Sequence, residues 1–150
     1  MAREDTLQLL ESLYAQRREA VLLHDAWAQS LKSTSCRKTV RAVGLMHDVR
    51  SLELARSARL MGGALTETRR PRVGLRLRTT FAAVRGDRTI MRRLLAHQSK
   101  LVNAYVEAAS NPSSKPIRRV LERHLAEEER HLAWLGHRRA ELGRGPRPAP

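Results

Sequence analysis

Aromatic residues are scarce in this 150-residue chain: one Phe, two Tyr and two Trp, 3% of the total. A core must therefore be assembled from Leu, Val, Ala and Met. There is one cysteine, Cys36, which excludes an internal disulfide and a cysteine-rich zinc site. Runs of β-branched residues and period-two alternation are missing, which argues against sheet and for an all-helical chain. No apolar run approaches the roughly 20 residues needed to span a bilayer, so no membrane partner is expected. A Gly-rich phosphate loop, Gly-x-Ser-x-Gly and Cys-x-x-Cys are all absent, which leaves no signal for nucleotide chemistry or a nucleophilic triad. Acidic residues are few, 15 Asp and Glu against 29 Lys and Arg, for a formal net charge of +14. The arginines are spread as single residues and pairs over every helix, from Arg17–Arg18 to Arg138–Arg139. Such a charge supports nonspecific attraction of a polyanion, and a basic helical nucleic-acid-binding module stays open, but spread charge does not read bases. The N-terminus, MAREDTLQLL, is charged and passes straight into helical periodicity, unlike a secretory signal; a cytoplasmic location is expected.

With 41% hydrophobic residues the chain has enough apolar surface for one domain. Four helices are predicted. The first runs from about Glu4 to Leu31, with Asp5 and Thr6 able to cap it and an inward stripe of Leu7, Leu10, Leu13, Tyr14, Arg17, Val21, His24, Ala28 and Leu31. KSTSCRKT reads as a turn and a cap. The second helix runs from about Cys36 to Leu65, near the Gly62–Gly63 pair, with Val40, Val43, Gly44, His47, Ser51, Leu54, Ala58 and Met61 facing inward. Asp48 and Glu53 fall toward its flanks or beyond. A connection of about twenty residues follows, too long for a tight hairpin. It holds a breaker at Pro71 and a short helix over Val73–Val84. Asp87 is a candidate N-cap for the third helix, from about Arg88 to Ala109, whose stripe is Ile90, Met91, Leu94, Gln98, Leu101, Tyr105 and Ala108. The turn NPSSKP offers Ser114 as a cap and Pro116 in a first helical turn. The fourth helix runs from about Lys115 to Leu142. Residues 1–142 thus form the bundle, and the Arg/Pro-rich tail 143–150 is expected to be disordered.

The fourth helix, around LERHLAEEERHLAWL, carries the chemistry. Ile117, Leu121, His124, Glu128, His131 and Leu135 share one face, so a carboxylate and two imidazoles point where a core belongs. Buried ionisable groups must be paired, hydrogen-bonded or bound to metal. Every other stripe also has a polar interruption near its middle: Arg17 and His24, His47 and Ser51, and Gln98. These eight residues, Arg17, His24, His47, Ser51, Gln98, His124, Glu128 and His131, can form one buried polar layer. Outside it, Glu127–Glu129 with Arg123 and Arg130 reads as a solvated face of helical ion pairs. His97 and His137 read as surface residues, Cys36 as inert, and Trp27 and Trp134 as covers for bundle edges or an oligomer contact.

The segments SLELARSARLMGG, RTTFAAVRGD, VNAYVEAA and LERHLAEEERHLAWL, in that order, resemble an uncharacterised bacterial branch of the ferritin-like superfamily, a domain of unknown function. The resemblance implies a ferritin-like four-helix bundle with a long crossover carrying a short helix between helices two and three, which then run parallel. It also implies a di-iron pattern of one Glu on each of two helices and Glu-x-x-His on each of the others. Glu128 and His131 keep that pattern on helix four. Helix two has Gly44 and His47 in the corresponding places, helix three has Gln98, and helix one has Arg17, or Arg18 if the register slips by one. A working ferroxidase is not expected from such a degenerate di-metal site.

Two readings of the layer stay open. In one, His47, Glu128 and His131, with His24 or His124, bind a single zinc, iron or other divalent ion, as a metal-binding protein or enzyme. In the other, Arg17 or a protonated histidine pairs with Glu128, Gln98 and Ser51 supply hydrogen bonds, and no cofactor is held. The second suits a structural, interaction or stress-associated protein, able to form homo-oligomers through helix faces, and not an enzyme.

Overall fold

The computed structural model describes residues 3–65, 85–111 and 114–144. These residues form four helices and no strands: α1 (Arg3–Ser30), α2 (Thr34–Leu60), α3 (Asp87–Ser110) and α4 (Lys115–Gly143). None of them is long and apolar enough to cross a membrane. The short helix expected over Val73–Val84, the break at Pro71 and the end of the tail, 145–150, lie outside the described residues.

The helix ends follow local chemistry. Ser33 caps α2 by accepting from the Cys36 backbone N–H at 3.3 Å. At the other end α2 stops at Leu60 and does not run on to Leu65. Gly62 takes a positive φ of 75°, its N–H reaches the Arg59 carbonyl at 2.8 Å, and the Gly63 N–H reaches the Ala58 carbonyl at 2.9 Å. That pair of bonds closes the helix before the chain can continue it. The start of α3 departs from expectation too. Gly86, at φ 88°, occupies the cap position, and Asp87 is already the first helical residue. Its carboxylate instead accepts the backbone N–H groups of Lys32 and Ser33, at 2.9 and 2.7 Å. The turn between α1 and α2 is thereby tied to the start of α3. Ser114 precedes α4, but its side chain makes no capping bond; Pro116 does sit in the first turn.

The Asp87 tie and the packing clusters give the helix directions. At one end of the bundle Leu23, Trp27, Leu31, Cys36, Val40, Ile90, Met91, Leu94 and Leu135 pack together. This joins the end of α1, the start of α2, the start of α3 and the end of α4. At the other end Leu10, Leu13, Leu54, Ala58, Leu101, Tyr105, Ala108, Ile117 and Leu121 do the same. Hence α2 runs parallel to α3 and antiparallel to α1 and α4. The neighbours are α1 with α2, α3 with α4, α1 with α3, and α2 with α4, which puts α2 and α3 on a diagonal. Each buried Leu or Ile contributes about 1.5–3 kcal/mol of burial, and such side chains fill both ends. The inward stripes of α3 and α4 are buried as spaced in the sequence. On α1 the buried face is rotated somewhat: Ala20, Leu23 and Trp27 are buried, while Leu7, Tyr14 and Val21 are half-buried. Trp27, expected at an edge, is thus a core residue, whereas Trp134 is 50% exposed.

Candidate functional site: a buried carboxylate shared by four helices

Between the two apolar ends lies a polar layer. Arg17, His24, His47, Ser51, Gln98, His124, Glu128 and His131 are all buried, none more than 2% exposed. Helical spacing turns these side chains inward, and the antiparallel pairs bring the midpoints of the helices to one level.

The layer centres on Glu128. Its Oε1 lies 2.7 Å from Nη2 of Arg17, on α1, and 3.6 Å from Nδ1 of His47, on α2. Its Oε2 accepts a hydrogen bond from Nε2 of Gln98, on α3, at 2.5 Å and lies 3.6 Å from Nδ1 of His131, one helical turn away. The Gln98 amide also donates to the Glu128 backbone carbonyl at 3.2 Å. One carboxylate thus meets a side chain from every helix. Burial acts to raise the Glu128 pKa, but His131, His47 and Arg17 outweigh it and hold the carboxyl far below the usual range. Burial keeps His47 below its ordinary value and hence neutral near pH 7, so the permanent positive charge facing Glu128 is Arg17.

Arg17 is spent in three directions. Its Nε–H donates to the Tyr105 hydroxyl at 2.5 Å, Nη1 lies 3.4 Å from His47 Nδ1, and Nη2 faces Glu128. The guanidinium also lies 4.9 Å from the Tyr105 ring centre. From Tyr105 a chain of bonds runs outward. The Tyr105 hydroxyl is 3.3 Å from His124 Nδ1, and His124 Nε2 is 2.7 Å from Glu53 Oε2. A carboxylate only accepts, so His124 donates through Nε2 and receives the tyrosine proton at Nδ1. Burial, aided by the charge of Arg17, lowers His124 to about 4, and burial raises Tyr105 to about 12. Both groups are neutral near pH 7, which suits this direction of donation. Glu53 is partly exposed, with Arg50 at 2.6 Å and Arg123 at 2.9 Å.

The histidines of the layer divide. The ligand atoms of His47, Glu128 and His131 lie within 4.8 Å of one another. His24 stacks edge-on to His47, ring centres 4.8 Å apart, and donates from Nδ1 to the Ala20 carbonyl at 2.8 Å. Its Nε2 then carries a lone pair with no hydrogen-bond partner among the described residues. His47 Nε2, His131 Nδ1 and Gln98 Oε1 also lack hydrogen-bond partners among the described residues, and Glu128 Oε1 meets Arg17 as a charge contact without an aligned hydrogen bond. His124 belongs to the Glu53 side. Ser51, expected to hydrogen-bond within the layer, turns back to the Asp48 carbonyl of its own helix at 2.7 Å.

Residues outside the stripes supply partners that spacing did not reveal. Glu127, read as part of a solvated face, is 7% exposed and takes a two-pronged bond from Arg50 at 2.5 Å through each oxygen. Glu53, on the flank of α2, meets His124. His97, read as a surface residue, is half-buried, and burial lowers its pKa. Cys36 is buried in the apolar end, and His137 is exposed. The sign that could have pointed to Glu53 and Arg50 is their spacing from His47, within two turns on α2; it names no partner on α4.

A di-iron centre does not fit these residues. A Cβ at Gly44 would lie 3.0 Å from the Cβ of His24, so a glutamate there would crowd that side chain. Gln98 is neutral, and Arg17 puts a cation where a third carboxylate would stand. Two metal ions would meet one buried carboxylate and a guanidinium, which cannot offset their charge. Compared with known proteins, the chain matches no family model and no curated sequence.

Proposed function

We propose that the chain is a ferritin-like four-helix bundle, with a crossover between α2 and α3, in which an internal ion pair has taken the place of a di-metal centre. It acts as a non-enzymatic structural, interaction or stress-associated protein. The observation that carries this reading is the contact of Arg17 with Glu128, 2.7 Å apart with both side chains fully buried. The guanidinium supplies the positive charge that a metal would supply in such a bundle. A layer with one member from each helix also sets the register in which four similar apolar stripes assemble. The parallel run of α2 and α3 supports the ferritin-like topology. Elemental analysis of untagged protein, purified without chelator, exposed to zinc or iron and desalted, tests the reading. The expected result is no stoichiometric metal and a Tm unchanged by EDTA. About two irons per chain overturns it in favour of a ferroxidase.

A second reading, a single divalent ion held by His47, Glu128 and His131, is favoured by their ligand atoms lying within 4.8 Å of one another and by His131 Nδ1, 3.6 Å from Glu128 Oε2 and without a hydrogen-bond partner among the described residues. It predicts about one zinc or iron per chain, lost in Glu128→Ala.

A further inference from the structure

A cleft of about 550 Å³ opens between the start of α3 and the end of α4, away from the polar layer. Its walls carry three arginines, Arg88, Arg92 and Arg139, and no carboxylate among the described residues; Leu95, Gly136 and Ala140 give it an apolar floor. In a chain with this many arginines, three together mean little by themselves. What distinguishes the place is the fate of the nearby acids. Asp87 is turned to the Lys32 and Ser33 backbone N–H groups. Glu141 is held by Arg138 at 2.8 Å and His137 at 3.3 Å. Arg92 and Arg139 are exposed and make no ion pair among the described residues. Arg88 is pinned by donating Nε–H and Nη2–H to the Leu142 carbonyl, at 3.3 and 3.1 Å. Positive charge is thus concentrated on a concave surface without compensation among the described residues. Gly136 keeps the floor open: the nearest atom that a Cβ there would meet is Leu95 Cδ2, at 3.9 Å.

We propose that this cleft binds a phosphorylated small molecule carrying two or more negative charges, its phosphates on Arg92, Arg139 and Arg88 and its organic part on the Leu95–Ala140 floor. Guanidinium forks match phosphate oxygens, and the volume falls in the range of small-ligand sites. Among the described residues no aromatic side chain lines the cleft to stack a base, and the described lining is a single pocket, which favours a small ligand over a polynucleotide strand.

Calorimetric titration of the full chain with inorganic pyrophosphate at low salt tests the proposal. Saturable binding of one pyrophosphate per chain is expected. Arg92→Ala and Arg139→Ala should each weaken it about tenfold. Gly136→Leu, which fills the floor without changing charge, should abolish it. Arg119→Ala, on the exposed first turns of α4, should change it less than about twofold. Each variant is checked for unchanged helicity. Absence of saturable binding overturns the proposal, as does an equal loss in Arg119→Ala and Arg92→Ala, which would mean bulk charge alone. A single-stranded oligonucleotide that binds more tightly than pyrophosphate through the same arginines would assign the cleft to a nucleic-acid backbone and overturn the small-ligand reading.

Discussion

The two halves of the polar layer solve the burial of charge differently. On the Glu53 side each donor has an acceptor: Arg17 donates to Tyr105, Tyr105 to His124, and His124 to Glu53, whose carboxylate reaches solvent among two arginines. On the Glu128 side one fully buried carboxylate is shared by Arg17 and Gln98, while His24 Nε2, His47 Nε2 and His131 Nδ1 have no hydrogen-bond partner among the described residues. The first half is a closed chain that fixes orientation. The second balances charge but leaves hydrogen-bonding capacity unused, and such atoms are costly in a dry interior. Charge neutrality and hydrogen-bond satisfaction are separate requirements, and only the half that touches water meets both.

Acidification should load both halves and have the largest effect. Burial lowers His24, His47 and His97 below 6.5, and His124 to about 4. Below pH 6.5 the unfolded chain binds more protons than the folded one, so stability is present above that pH and is lost as pH falls through the window. A histidine contributes at most about 1.4 kcal/mol per pH unit, and only between its ordinary and its folded value; for His124 that window runs from 6.5 down to about 4. Glu128, held low in the folded state, adds a further loss below its ordinary 4.5. Urea midpoints are expected to be flat between pH 7 and 8 and to fall steeply from 6 to 4.5. A flat profile down to pH 4.5 would mean that these imidazoles are solvated.

Next in size is Arg17→Met, which leaves Glu128 buried and unpaired; a loss of about 3–5 kcal/mol is expected in urea denaturation. The double variant Arg17→Met/Glu128→Leu should recover most of that loss, because an apolar pair needs no compensation. If the double variant is no better than the single one, the hydrogen bonds from Gln98 and to Tyr105 matter more than the ion pair. Tyr105→Phe should cost about 1–2 kcal/mol, since it leaves Arg17 Nε and His124 Nδ1 bare while filling the same space. The smallest effect belongs to the wet end of the chain. Glu53→Gln should change stability by less than about 1 kcal/mol, and it should leave the acid slope of the Glu128 half intact.

Much of the layer was legible in the sequence because an inward position is a property of one helix. His124, Glu128 and His131 fall on one face at steps of three and four whatever surrounds them, and so do His47 on α2 and Gln98 on α3. The pairing of Arg17 with Glu128 could be anticipated as one of two options from charge alone. Glu53, Arg50 and Glu127 were not legible, since each lies on a flank where burial depends on the neighbouring helix. Asp87 shows the same limit. By local chemistry it is a good cap for its own helix, yet two unpaired N–H groups in a distant turn claim its carboxylate.

Spacing along the chain is enough to make these segments helical, to place where they start and break within a few residues, and to require each to bury polar groups at its middle. These follow from periodicity, turn residues and capping, all of which act within a few residues. The assembled bundle alone sets which imidazole joins which carboxylate, that Gly44 makes room for His24, and that Trp27 is core while Trp134 is exposed. Those outcomes depend on the rotation and level of one helix against another, set by packing between residues far apart in the chain, on which the spacing within a single helix is silent.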